Sequence, residues 1–517
     1  MFTPADRRQI AARGISVPEA QRHLRLLQQP PVWVTLDRPA RAGDGIRRVE
    51  ETEAAGYAAR HAAAALDGKI LHFIPASGAA SRMFKDLLAV RGRTDGVPLE
   101  RLRAEAQSGS AEAGAALELL DRLGEFAFAE AMQAREAAAA AEAEEPAGDD
   151  VRLRLAHLLE EPGLGYARLP KGLIPFHRAG ARGRTPFEEH LREAAQLARA
   201  GDGAVRLHFT VPAEHRGRFE ELLAALRKEI ESECSCRLDV TFSVQKSTTD
   251  TLAADDAGAP FRDDSGSLVF RPAGHGALLA NLQDAARAGA DIVFVKNIDN
   301  VAAAGRSGAT HEWVPRLTGL LLEARERAHD AIHALERGGA AARDEAVAVL
   351  AALGLAAPAG ADAQTLRALL DRPIRVCGMV PNTGEPGGGP FWVKSTDGAT
   401  SLQIVETAQV NPADSAAVAV LRAATHFNPV FMVLSLRDAA GHPFELDRFA
   451  DPEAIIVTRK SAQGRELVAL ERPGLWNGGM GRWITLFVEI PGAVFTPVKT
   501  VNDLLRPEHQ PPKGAGA

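Results

Sequence analysis

The chain has 517 residues, of which 46% are hydrophobic and 25% charged, and its formal net charge is −7. That composition excludes wholesale disorder, a collagen-like repeat and a small disulfide scaffold, and the acidic balance argues against a general nucleic-acid binder. No apolar run reaches the ~20 residues of a membrane-spanning helix, and the polar opening MFTPADRRQI has no signal-peptide core, so the expectation is a cytoplasmic protein without a membrane partner.

Residues 1–66 read as a helical N-terminal region, with apolar residues at helical spacing in RHLRLLQQ and YAARHAAAALDG. ILHFIP at 70–75 is a short apolar run of the buried-strand type, and it feeds the small residues ASGAAS and the helical stretch RMFKDLLAV. Residues 98–162 read as a helical insertion rich in Ala, Glu and Leu. Its low-complexity centre, EAAAAAEAEEPAGDD, reads as a surface segment with a loose tip. From 164 the pattern alternates: turn-rich LPKGLIPFH, an amphipathic helix FEEHLREAAQLARA, strand VRLHFTV, helix RFEELLAALRKEIES and strand LDVTFSV. SLVF, the GHGALLANL helix and strand DIVFVK follow. Such alternation indicates βαβ units and a mainly parallel sheet, an α/β fold.

Residues 311–370 return to Ala-rich helices, and RVCGMV, PFWVK, SLQIVE, FMVLSL, WITLFVE and AVFTPVK then read as strands. The expected organisation is a helical region over 1–66, an α/β core over 67–440 with helical insertions at 98–162 and 311–370, and a C-terminal α/β part over 441–517. No repeat of fixed period is visible. Cys234, Cys236 and Cys377 lack a clustered His set and read as free thiols in a reducing compartment.

Only 10 of the 60 basic residues are lysine. Arginine is a planar fork and lysine a compact charge that meets a phosphate end-on, so lysines kept in an arginine-rich chain mark places where a fork will not fit. Lys85, Lys171, Lys246, Lys296, Lys394 and Lys499 all lie in motif-like stretches. Four segments are candidates for chemistry, each also readable as local structure: tight helix–strand packing, a solvated turn, a structural histidine and a helix cap. The strand–ASGAASR–helix unit exposes backbone N–H groups and a helix N-terminus, with Arg82 and Lys85 adding charge on the following turn, a geometry that binds anions. It matches neither the NTPase phosphate loop nor the dinucleotide glycine motif. LPKGLIPFH holds Lys171 between Pro170 and Gly172. RPAGHGALLANL places His275 between Gly274 and Gly276, which let the backbone approach a ligand. DIVFVKNIDNV ends an apolar strand in Asn297, Asp299 and Asn300. Ligands of open α/β sheets sit beyond the carboxyl ends of the strands, and an Asp there suits Mg²⁺ completed by phosphates.

Taken in order, these segments resemble the UDP-glucose and UDP-N-acetylhexosamine pyrophosphorylases, nucleotidyltransferases with a Rossmann-like GT-A fold. The family's G-G-x-G-T-R reads Ser77, Gly78, Ala79, Ala80, Ser81, Arg82 here. P-K-G matches Pro170, Lys171 and Gly172, and T-F-x-Q resembles TFSVQ, suggesting Gln245 with one extra residue between. P-x-G-H-G matches Pro272, Gly274, His275 and Gly276, and N-I-D-N matches 297–300. L-E-x-A-Q-V resembles IVETAQV, which suggests Glu406, and P-V-K-x-x-x-D-L-L matches Pro497, Val498, Lys499, Asp503, Leu504 and Leu505. The chain as a whole resembles more closely a bacterial group termed domain of unknown function 4301, which shares PASGAASRMFK, LPKGLIPFH and FRPGGHGAL-type segments.

The resemblance implies attack of a sugar 1-phosphate oxygen on the α-phosphorus of a nucleoside triphosphate, UTP by the family pattern, with release of pyrophosphate. It implies Arg82, Lys171 and Lys499 as catalytic residues, Asp299 as the Mg²⁺ ligand, Ser77, Gly78, Gln245, Gly274 and His275 at the nucleotide, and Glu406 and Lys394 at the sugar substrate, with His275 also toward the sugar side. Ser77 and Ala80 replace two family glycines, which narrows the first loop. Two other readings stay open: a GT-A-like glycosyltransferase using a nucleotide sugar, and, suggested by the altered loop, a nucleotide- or sugar-phosphate-binding regulatory protein without turnover.

Overall fold

Near-continuous apolar runs, buried on both faces, build the sheet on which everything else is hung. In the computed structural model, which describes residues 2–29, 31–142, 150–179, 182–384, 387–395, 398–462 and 464–512, ten strands form it. Nine are β1 (Arg41–Ala42), β2 (Gly45–Arg47), β3 (Ile70–Pro75), β4 (Ala204–Thr210), β5 (Arg237–Ser243), β6 (Ile292–Lys296), β7 (Ile374–Pro381), β8 (Phe431–Ser435) and β9 (Ile484–Glu489). Their spatial order is β1-β2-β9-β7-β8-β6-β3-β4-β5, and His426–Phe427 pairs on the end of β7. All neighbours along this order are parallel except β8, which runs antiparallel to both β6 and β7. The sheet is therefore mainly parallel.

Seven helices matter for the site: α1 (Glu51–Leu66), α2 (Pro186–Leu197), α3 (Arg216–Cys234), α4 (Leu278–Arg287), α5 (Gly308–Arg337), α6 (Ala340–Ala352) and α7 (Ala363–Leu370). Ile292, Phe294, Ile374, Val376 and Val433 face α1, α5, α6 and α7, while Phe73, Val293, Cys377, Met379 and Met432 face α4. Parallel strands buried on both faces need such layers on both sides. The expected insertion at 311–370 thus supplies, beside α1, most of one layer of the core. The other insertion, 98–162, expected on the surface, carries a buried core. Leu102, Ala116, Leu119, Leu155 and Leu158 share a core with Val498, Val501, Leu504 and Leu505, so it is the platform for the C-terminal segment. Of the expected loose tip, 138–148, residues 138–142 end a helix, Ala129–Glu142, and the rest lies outside the described residues.

Two further expectations need correction. The N-terminal 1–66 is not helical throughout: strands occupy Thr35–Pro39, Arg41–Ala42 and Gly45–Arg47. They are too short and too polar to show an alternation of their own, and pairing with Gly389–Lys394 and with β9 forms them. AVFTPVK is not a strand. Its residues make a 3₁₀ turn, Gly492–Val494, and then an extended run held by Asn300, whose amide donates to the Val494 carbonyl (3.2 Å) and whose oxygen accepts from Thr496 N–H (2.9 Å). The three cysteines are free. No helix among the described residues is long and apolar enough to cross a membrane.

Helix α2 departs most from its sequence pattern. FEEHLREAAQLARA reads as amphipathic, yet nearly every residue of α2 is buried. Charged side chains survive burial when paired. Glu188 pairs with Arg182 (2.7 Å) and Arg192 (3.0 Å), Glu189 with His177 (2.9 Å), and Arg192 also with Glu229 (2.8 Å). Glu193 takes the ammonium of Lys296, the last residue of β6, at 2.7 and 3.0 Å, and that ammonium is almost fully buried. One turn earlier His190 directs Nε2 at the carbonyls of Asn297 (3.2 Å) and Ile298 (3.3 Å). Carbonyls only accept, so Nε2 carries the proton, and burial holds this ring neutral by driving its pKa well below the usual value.

Two outcomes follow from this packing. Gly319 of α5 crosses α1 so closely that an added Cβ would fall 2.2 Å from Tyr57 Cα and 2.3 Å from its carbonyl oxygen. Helix propensity alone favours Ala over Gly by ~1 kcal/mol, but backbone atoms cannot step aside, so Gly319→Ala is expected to destabilise by ~1–3 kcal/mol in urea melts. A stabilised variant would show that the two helices part easily. Glu193→Gln leaves the Lys296 ammonium buried without its counter-charge and is expected to cost ~3–5 kcal/mol. A loss below ~1 kcal/mol would mean that the pair does not hold the end of β6.

Candidate active site

From β3 the chain winds outward through β4 to β5, then returns with β6 on the other side of β3. The crevice between the carboxyl ends of β3 and β6 is therefore the topological switch point of the sheet, where ligands of open α/β folds bind. The loops that meet there are Ala76–Arg82 after β3 and Asn297–Asn300 after β6. Ile298 N–H donates to the Pro75 carbonyl (3.1 Å), which joins the two loops at their roots.

Lys171 enters the same crevice across a long stretch of chain. Its backbone N–H donates to the Gly78 carbonyl (3.2 Å), Ala80 N–H donates to that of Leu169 (3.1 Å), and Ala79 bridges Pro170. Its ammonium donates to Asp299 Oδ2 (2.7 Å) and to the Val498 carbonyl (2.5 Å), with side chains 12% and 21% exposed for Lys171 and Asp299. An ammonium has three N–H donors; two are engaged here, and the third remains for an oxygen in the crevice. The Val498 carbonyl belongs to the peptide that continues into Lys499, so the two lysines share one root. Lys499 is set by Asp503, whose carboxylate accepts its backbone N–H (2.8 Å) and that of Thr500 (2.7 Å), while its ammonium lies 5.7 Å from the Phe495 ring centre. Ser77, Gly78 and Arg82 are exposed on the rim.

A second cluster lies along the same edge, two strands from β3 at β5, or ~10 Å at ~4.8 Å per strand. Gln245 follows β5, and its amide points at the Gly274 carbonyl (3.4 Å). Asn281 of α4 donates to Ser243 Oγ (2.8 Å) and the Val244 carbonyl (3.0 Å), fixing the chain just before Gln245. His275 is fully engaged by the protein. Leu475 N–H donates to Nδ1 (3.0 Å), so Nδ1 must be the acceptor and Nε2 the protonated nitrogen, which faces Glu406 Oε1 at 3.3 Å. The ring stacks on Trp476 at 4.0 Å, and the Trp476 N–H also donates to Glu406 Oε1 (3.3 Å). Burial would raise the Glu406 carboxyl; the hydrogen bonds from His275, Trp476 and Asn477 outweigh it and hold its pKa below the usual value. His275 and Glu406 thus clasp the 272–276, 406–409 and 474–477 segments together.

The structure does not bring Lys394 to this place. Lys394 pairs with Thr400 at one end of its hairpin, whereas Gly389 and Val405, next to Glu406, form the other end. Five residues of strand separate them, ~17 Å. Lys394 is half exposed and bound to Asp37 (2.9 Å). Lys246 pairs with Asp284 (2.5 Å), and Lys85 is exposed at the start of its helix.

Several residues of the site were not apparent from the sequence. Glu193 and His190 sit in a helix that looks like a surface helix. Trp476 and Asn477 lie in PGLWNGGMG, a glycine-rich run that is itself a signal. Gly474 there must be Gly, because a Cβ would fall 2.3 Å from His275 Cε1. Asn477 donates to Gln409 Oε1 (2.7 Å), and buried Arg375 holds the Trp476 carbonyl (2.5 Å) and Thr485 Oγ1 (2.9 Å). As for a metal, no group of three or more potential ligands lies together among the described residues. Asp299 offers one carboxylate, which fits Mg²⁺ arriving with a nucleotide's phosphates, since such ions take one or two carboxylates and complete their shell with phosphates and water.

No curated protein matches the sequence. Among solved structures, the uridine diphosphate N-acetylglucosamine pyrophosphorylase of Trypanosoma brucei, in complex with an inhibitor, is similar at a TM-score of 0.51 and 13% identity, over 98% of this chain and 79% of that one. A mutant UDP-glucose pyrophosphorylase of Leishmania major in complex with UDP-glucose gives a TM-score of 0.46 at 12% identity, over 98% and 79%. At these identities the likeness to the first is one of fold. The family model for DUF4301, a domain of unknown function, matches residues 3–510. The chain belongs to the DUF4301 family.

Proposed function

We propose that this chain is a Mg²⁺-dependent nucleotidyltransferase of GT-A-like fold that joins a nucleoside monophosphate from an NTP to a sugar 1-phosphate. The observation that carries this reading is the position of Lys171. Its ammonium spans Asp299 and the Val498–Lys499 peptide, beside the first loop, at the switch point of the sheet.

The reaction needs little covalent help from the protein. A sugar-phosphate oxygen forms a bond to the α-phosphorus as the bond to the bridging oxygen breaks, and pyrophosphate leaves with the electron pair. Positioning and charge neutralisation supply the rate. Lys171 offers its third N–H to an α-phosphate oxygen, and Lys499 neutralises the incoming sugar phosphate. Arg82, exposed on the rim, holds the leaving phosphates. Asp299 would hold Mg²⁺, which when bound spreads the phosphate charge. Gln245 and the Gly274 backbone face the base, and Ser77 and Gly78 face the phosphates. His275 and Glu406 act from behind, by fixing the loop that carries Gly274.

The test is pyrophosphate release from each NTP with a panel of sugar 1-phosphates and Mg²⁺. Release that depends on both substrates is the expected result. Sugar transfer from a nucleotide sugar to an acceptor, without pyrophosphate, would identify a glycosyltransferase. Saturable nucleotide binding without turnover would identify a regulatory binder. Either would overturn the proposal.

Two substitutions probe the assignment. At Lys171 and Lys499, Arg is expected to damage turnover nearly as much as Ala, because a planar fork cannot replace a point charge without displacing its neighbours. Lys228, exposed on α3, is the control and should tolerate both changes. Full activity of both Arg variants would reduce these lysines to ordinary charges. An added Cβ at Gly78 meets nothing within 4 Å, so Gly78→Ala is expected to leave the melting temperature unchanged. It should nevertheless weaken NTP binding about tenfold, worth ~1.4 kcal/mol. Unchanged affinity would show that the phosphates do not lie over this loop.

A further inference from the structure

A cavity of about 350 Å³ opens at the other side of the sheet, against β9. β9 stands four strands from β3, ~19 Å at ~4.8 Å per strand, so the cavity is separate from the crevice. Its volume lies within the range of small-ligand pockets, ~300–1,000 Å³. Five parts of the fold converge on it, and its apolar wall is made by Ile46, Leu320, Val349, Trp392, Leu402 and Phe487.

The wall is built firmly. The Trp392 indole N–H donates to Asp44 Oδ1 (3.0 Å), and the Arg38 guanidinium lies 4.8 Å over its ring. Arg38 in turn holds both oxygens of Asp44, at 2.9 and 3.0 Å. The turn at 43–45 closes against this ring only because Gly45 has φ +89° and no Cβ, which would fall 2.9 Å from Trp392 Nε1. An aromatic plane fixed at one edge and on one face is a rigid surface for an apolar group.

The charged residues of the cavity are Arg47, Glu323 and Arg327. The Arg47 guanidinium is held from outside by Glu53 and by the Tyr57 hydroxyl (3.0 Å). Glu323 and Arg327 lie one turn apart on α5, yet among the described residues neither forms a hydrogen bond or an ion pair. Arg327 therefore presents an unpaired planar fork at the edge of an apolar cavity, the arrangement that takes a carboxylate or phosphate in two parallel bonds.

We propose that this cavity binds a small amphipathic anion, with an aromatic or aliphatic body against Trp392 and its anionic group on Arg327. Glu323, beside Arg327, opposes such a ligand and sets the sign of a control. The probe is 8-anilinonaphthalene-1-sulfonate, titrated by fluorescence into the native full-length protein. Wild type is expected to show saturable binding at one site. Arg327→Gln should weaken it at least fivefold, and Glu323→Gln should strengthen it two- to threefold. Ala352→Trp, at an exposed position on the cavity rim, should abolish it, while Arg337→Gln, exposed on the same helix away from the cavity, should change nothing. Far-UV circular dichroism and melting temperature establish that each variant is folded. Competition by benzoate and by phenyl phosphate then separates a carboxylate from a phosphate ligand. No saturable binding, or equal affinity in wild type, Arg327→Gln and Ala352→Trp, would overturn the proposal.

Discussion

The structure depends on one buried ion pair. Lys296 is the final residue of β6, and its ammonium meets the Glu193 carboxylate where almost no water reaches either. Separating two charges in such surroundings leaves each uncompensated, so the pair fixes α2 against the end of β6. His190 on the same helix then secures the next two carbonyls. Everything in the Asn297–Asn300 loop is referred to that anchor. Asn300 passes it on to 494–496, and Asp299 passes it to Lys171. The crevice is thus assembled from segments far apart in sequence, each located by a polar contact to the one before.

The second cluster works by the opposite means. Here a stacked pair, His275 on Trp476, is closed by a carboxylate that accepts from both rings. The tautomer is forced by a backbone N–H that can only donate, which leaves neither nitrogen of His275 for a ligand. A histidine between two glycines suggests a ligand contact, and geometry turns it into a joint. What a ligand would meet is the backbone that this joint holds still. Pre-organisation of that kind acts through geometry, and it matters most where the chemistry asks the protein for positioning.

Much of this was legible in the sequence, and the parts that were not share a cause. βαβ alternation is a local pattern, so β3 to β6 and their helices could be read directly. The motif order from 70 to 505 placed Gly78, Lys171, Asp299 and Val498 in one list, and the structure places them in one crevice. What failed was whatever depends on a distant partner. The strands at 35–47 exist because Gly389–Lys394 and β9 pair with them. The charges of α2 look like a solvated face because their partners, Arg182, His177, Glu229 and Lys296, lie outside the helix. Lys394 sits in a motif-like stretch, but a hairpin carries it away from Glu406. An Ala-rich stretch gives no sign of whether it is an appendage or, like α5 to α7, most of a layer of the core.

The lysines sharpen that contrast. In a chain so rich in arginine, six lysines in motif-like stretches suggested positions that exclude a fork. Lys296 and Lys171 meet that description in physical terms. The ammonium of Lys296 fits between two oxygens of one carboxylate inside the core, where a guanidinium would bring further donors that have no acceptors. Lys171 converges on a carboxylate and a carbonyl from different segments, and its compact tetrahedral head turns one N–H to each and keeps a third. Lys246 and Lys394 make ordinary exposed pairs that arginine would make as well. Retention of lysine therefore marks convergent, confined geometry in some of these positions and nothing in others. The feature that separates them is burial of the ammonium, which no count of residues contains.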